Sequence, residues 1–135
     1  MIGPAQRSPF EVLLTSAFGL YCAVGLVAFD AVATTTIREF PGPWGRVFFG
    51  AALAACGTVL FGIGRAHTAL GVLTERAGLV ALFGVCGCYS VWAFGNTGRR
   101  ALAFGLLLLA LAGASAWRTW QIGRALRTAR KAAGQ

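Results

Sequence analysis

Few side chains in this sequence could do chemistry. Glu11, Asp30, Glu39 and Glu75 are the only carboxylates, His67 the only imidazole, and Cys22, Cys56, Cys86 and Cys88 the only thiols. A hydrolytic site needs a nucleophile with a base and an orienting group, or a metal held by imidazole and carboxylate ligands. One histidine in a basic loop and four scattered carboxylates supply neither, and no glycine-rich phosphate loop is present. The expectation is a protein that is not an enzyme and carries no cofactor and no metal. Cys86-Gly87-Cys88 lacks the paired spacing of a zinc site, and all four thiols fall inside charge-free runs, so they read as small packing residues. A solvated loop residue accounts for His67.

The runs that hold those residues decide the class. Residues 77–98 contain no Asp, Glu, Lys, Arg, His or Pro. At a rise of about 1.5 Å per residue such a helix reaches about 33 Å, enough for a hydrocarbon core of about 30 Å. Charge-free runs of similar length lie at 12–29, 47–64 and 101–117. The 135 residues are 57% hydrophobic and 12% charged, with mean hydropathy +0.70, far from the roughly 25% charge of a soluble domain. The expected fold is all-α: one polytopic membrane domain over 1–135, with four transmembrane helices at about 10–30, 46–64, 77–97 and 100–118 and a basic tail at 119–135. That leaves no room for a separate catalytic module. Eleven of the twelve basic residues are Arg, and with the abundant Ala and Gly this hints at a GC-rich coding sequence.

Ser8-Pro9-Phe10-Glu11 has the form of a capping box, with Ser8 as N-cap, Pro9 first in the helix and Glu11 reaching back. The first helix is expected to run on past Asp30 toward Ile37 and stop before Pro41-Gly42-Pro43. Ala31-Val32-Ala33 resembles a signal-peptide cleavage site, but an apolar run of eighteen residues is long for one, so an uncleaved span is expected. Pro43 opens the second helix and Trp44 anchors it at the interface. On that helix Gly50, Ala54, Thr58 and Gly62 recur every four residues, the small-xxx-small spacing that lets helix backbones approach closely in lipid. This stripe is expected to pack on another helix, of the same chain or of a neighbour. Thr74 is expected to cap the third helix, with Glu75 at the positive end of its dipole. Tyr89, Trp92 and Phe94 form an expected aromatic belt, and Asn96-Thr97-Gly98 a tight turn.

Beyond the fourth run, Ile122, Leu126 and Ala129 share one helical face and Arg124, Arg127 and Lys131 another. This amphipathic basic helix suits an anionic leaflet, although a solvated tail that only fixes topology has the same composition. Arg118, Arg124, Arg127, Arg130 and Lys131 are the candidate headgroup residues. The net charge of +8 therefore points to anionic lipid and not to nucleic acid. With alternate connections on opposite sides, Arg7, Arg65, Arg76, Arg118, Arg124, Arg127, Arg130 and Lys131 lie on one side and Arg38, Arg46, Arg99 and Arg100 on the other. That eight-to-four bias predicts both termini in the cytoplasm. No ionisable residue falls in mid-span, where transporters keep them. Asp30, at the outer edge of the first span, is the one candidate polar site, and pairing with Arg38 or Arg46 at headgroup level would explain it equally.

At Ser8-Pro9-Phe10-Glu11, at Thr74-Glu75-Arg76-Ala77-Gly78-Leu79 and at Ala116-Trp117-Arg118-Thr119-Trp120-Gln121-Ile122, the chain resembles small four-span membrane proteins of actinobacteriophages and their prophages. Several of those are regarded as holin-like. The resemblance implies a protein that accumulates in the cytoplasmic membrane of the host, oligomerises and then permeabilises it for lysis. It carries over no catalytic or binding residue. A non-lytic accessory protein stabilising a larger complex, or a small transporter or channel, are the competing expectations.

Overall fold

In a computed structural model, which describes residues 9–33, 35–97 and 102–133, the secondary structure is all helix, with no strand among the described residues. Helix α1 spans Pro9–Val27, followed by two single turns, α2 (Phe29–Val32) and α3 (Thr35–Arg38), and by three long helices, α4 (Trp44–Gly64), α5 (Ala69–Thr97) and α6 (Leu102–Ala133). Two stretches, Trp44–Gly64 and Ala69–Asn96, are long and apolar enough to cross a membrane; Glu11–Val27 is a shorter apolar helix.

The long helices pack in chain order, α1 on α4, α4 on α5 and α5 on α6. Each pair is antiparallel. Gly19 faces Cys56 while Gly25 faces Phe49, Gly62 meets Glu75 while Gly78 meets Val59, and Ser90 reaches Gly105 while Glu75 reaches Arg118. The inner face of α4 carries Gly45, Phe48, Ala52, Ala55, Val59 and Gly62, with Phe49 and Cys56 beside them. Its alternating steps of three and four stay close to the 3.5-residue period at which antiparallel helices keep register over several turns. Glycine sets the closest approach: a Cβ on Gly62 would overlap the Glu75 backbone, and one on Gly78 would lie 2.7 Å from the Val59 nitrogen.

The two ends of the bundle differ in chemistry. At one end the core is aromatic. Phe40, in the connection after α3, stacks on Trp92 at 3.9 Å between ring centroids, and Phe48 lies 4.5 Å from Tyr89. Toward the other end the core passes through Cys22, Cys56, Cys86, Leu82 and Leu108, each nearly inaccessible, to a charged cluster.

Several boundaries differ from the sequence reading. The first helix does not run on to Ile37. It breaks at Ala28, whose backbone leaves the helical region, and the turn seats Phe29 edge-on against Phe49. The connection then reverses at Gly42, which has positive φ (62°), a conformation glycine adopts without Cβ strain. The third helix starts at Ala69, two turns earlier than expected, because Thr68 and not Thr74 caps it: the Gly71 N–H donates to Thr68 Oγ1 at 3.1 Å. Thr74 Oγ1 instead donates to its own helix at the Leu70 carbonyl. Tyr89 is core, not belt. The tail is no separate element: α6 continues through Gly123 without a break to Ala133. Asn96 and Thr97, expected in a tight turn, are instead the last residues of α5. Ser8 and Gly98 lie outside the described residues.

Candidate functional site

The charged cluster is built by three helices. Glu11 sits in the first turn of α1, Glu75 less than two turns into α5, and Arg118 past the middle of α6. Antiparallel packing brings these three positions to one level. Arg118 Nε lies 3.6 Å from Glu11 Oε2 and 3.7 Å from Glu75 Oε1. These separations are ion pairs and longer than a hydrogen bond. The guanidinium also donates to Gln121 Oε1 at 3.4 Å through Nη1. Exposure of the side chains is graded, 44% for Glu11, 17% for Arg118 and 5% for Glu75. The cluster thus opens to the surface at α1 and closes against the core at α5.

Beneath it lies a cavity of about 60 Å³, walled by Leu14, Leu79, Leu82 and Leu111 and lined on the polar side by Thr15 and Ser115. Both hydroxyls donate to carbonyls one turn back on their own helices, Thr15 to Glu11 at 2.8 Å and Ser115 to Leu111 at 2.9 Å. Sites for drug-sized ligands run to about 300–1,000 Å³, so this one is too small for such a ligand. The arrangement is suited to clamping α1, α5 and α6 at one end. Among the described residues, the cluster sets two carboxylates against one guanidinium.

The three stretches that carry the sequence resemblance each contribute one member of this cluster, a convergence that no stretch shows by itself. Taken singly, Glu11 and Glu75 are helix-end residues and Arg118 a headgroup ligand. Arg118 instead turns between the helices, because a carboxylate as buried as Glu75 requires a charged partner. The clue was available: with alternating helices, the starts of runs one and three and the end of run four fall at the same level.

The other expected site residues separate. Asp30 is exposed, and Arg38 donates to its backbone carbonyl rather than to its carboxylate, while Arg46 lies over the Phe29 ring at 5.5 Å. Of the stripe on α4, only Gly62 packs inside the chain; Gly50 has nothing within 4 Å of a Cβ position, Ala54 is exposed, and Thr58 bonds to Ala54 of its own helix. A step of four residues turns about 400°, so the stripe drifts about 40° each time and wraps from the outer face at Gly50 to the inner face at Gly62. In the tail, Arg124 stacks over Trp120 at 4.6 Å and Arg127 Nε donates to the Gly123 carbonyl at 3.2 Å. The side chains of Arg130 and Lys131 lie outside the described residues. Cys22, Cys56 and Cys86 are buried and free, whereas Cys88 is exposed.

The outward face of α4 has its own pattern. Val47, Gly50, Ala54, Gly57, Phe61 and Gly64 repeat at steps of three and four, opposite the packed seam. Gly50, Gly57 and Gly64, seven residues apart, all have open space where a Cβ would stand. Comparison with protein-family models, curated proteins and solved structures finds no match for the chain.

Proposed function

We propose that this chain is a small multi-pass protein of the bacterial cytoplasmic membrane, with four spans and both termini inside, that assembles laterally and permeabilises the bilayer in the manner of holins. The observation that carries the reading is the outward glycine seam of α4, Gly50, Gly57 and Gly64 with Ala54 between them, open along its length. In lipid, where burying apolar surface gives no gain, small residues that let backbones touch are what drives helices together. A second support is the filled interior. Phe49, Leu82, Cys86, Tyr89 and Leu108 are at most 2% exposed, so a path for solutes would lie between copies and not through one. The same filling weighs against the transporter reading. The basic end of α6 would hold the assembly to an anionic leaflet.

The test is membrane potential, followed by a dye in cells induced to express the wild type or Ala54→Leu at matched membrane levels. The expected result is an abrupt, delayed collapse with the wild type and none with the variant. A steady potential with abundant inserted wild-type protein would overturn permeabilisation and transfer the function to a non-lytic accessory partner.

A further inference from the structure

On the membrane-protein reading, we propose a binding site for the phosphate of one anionic phospholipid in the groove between α5 and α6. The groove has a volume of about 320 Å³ and two chemically distinct ends. At one end stand Arg76 and Arg127. Toward the bundle middle it is lined by Val80 and Phe83 of α5 and by Trp120 and Ala116 of α6. Register explains the division. Arg76 lies opposite Gly123, 3.8 Å from a Cβ position there, and because the helices are antiparallel, rising residue numbers on α5 and falling numbers on α6 run the same way. Val80 and Phe83 lie four and seven residues from Arg76, on one face of α5 and about 6 and 10 Å along it.

Gly123 is what leaves the groove open, since a larger side chain there would fill it. The bond from Arg127 Nε to the Gly123 carbonyl holds that guanidinium beside the groove. Val80 and Phe83 are about half exposed, 52% and 48%, although they belong to a helix apolar enough to cross a membrane. Two guanidiniums suit a phosphodiester. The apolar strip running from them suits the start of an acyl chain and offers nothing to a free phosphate ion. Neither Arg76 nor Arg127 belongs to the Glu11–Arg118–Glu75 cluster, so binding does not compete with the clamp.

The experiment is native mass spectrometry of the full chain in detergent, titrated with phosphatidylglycerol and, separately, phosphatidylcholine. The expected result is one retained phosphatidylglycerol per chain, with affinity about tenfold lower in Arg76→Gln and in Arg127→Gln. Arg65→Gln, which removes the same charge at the same end but outside the groove, is expected to bind as wild type. Helicity and melting of each variant exclude unfolding as the cause. An equal loss in all three variants would mean diffuse charge attraction and overturn the site. So would equal retention of phosphatidylcholine, or displacement of the lipid by millimolar inorganic phosphate. Because the readout is lipid bound to a single copy, it is independent of lateral assembly and can fail or succeed whatever the dye measurement shows.

Discussion

Replacing Arg118 with leucine would remove a guanidinium from beside Glu75, which is buried. At 3.6 and 3.7 Å the two ion pairs are each worth about 4 to 5 kcal/mol in gross Coulomb energy at an effective dielectric near 20, before desolvation is counted. The net effect is smaller, and breaking a buried pair from one side costs about 3–5 kcal/mol. Since Arg118 retains some exposure, the lower end applies, about 3 kcal/mol. Glu11, 44% exposed, is screened by water, and Glu11→Gln should cost under about 1 kcal/mol. The double variant Glu75→Leu/Arg118→Leu removes both buried charges and should recover most of the loss, because apolar pairs often replace buried ion pairs at little cost. The assay is reversible unfolding of the purified chain in mixed micelles, read as a double-mutant cycle. An Arg118→Leu protein within about 1 kcal/mol of wild type, or a double variant as unstable as the sum of its singles, would refute the clamp.

Three further outcomes follow from the packing. Gly62→Ala forces a methyl into the Glu75 backbone and should destabilise the fold by at least about 1–3 kcal/mol, whereas Gly50→Ala, in open space, should be neutral or slightly stabilising; micelle melting curves separate them. Ala54→Leu lies on the exposed face of α4 and should leave helicity and melting unchanged while shifting the oligomer distribution in detergent toward the monomer. Phe40→Ala removes the ring stacked on Trp92 and should expose that indole, seen as a red shift and easier quenching of tryptophan emission with a loss of about 2 kcal/mol for a half-buried ring.

Helix identity was legible because long charge-free runs have few alternatives: α4 runs from Trp44 to Gly64 as Pro43 and the apolar pattern imply. Helix ends were less so. Absence of charge bounds a span, and it starts the third span at Ala77, just past the Glu75 that the fold buries. A charge near the end of an apolar run reads as interfacial until its partner is known, and the partner, Arg118, is forty-three residues away in sequence. The stripe on α4 divides between two faces for another reason. A four-residue period keeps to one helix face over one step but not over three, and the seam packed inside the chain is the alternation of three- and four-residue steps from Gly45 to Gly62. The Ala28 break was hidden as well, since nothing local in Val27-Ala28-Phe29 forbids a helix; the pull comes from the packing of Phe29 on Phe49.

The claim that copies meet through the outward seam of α4 is tested most directly by cysteine cross-linking in intact membranes. Gly57→Cys in a Cys88→Ser background places a thiol mid-seam and removes the exposed native one, leaving Cys22, Cys56 and Cys86 buried. The account predicts rapid disulfide-linked dimer at low expression when a membrane-permeant oxidant is added, abolished when Ala54→Leu is introduced. Monomer only, with the new thiol shown reactive toward a membrane-permeant maleimide, would contradict it.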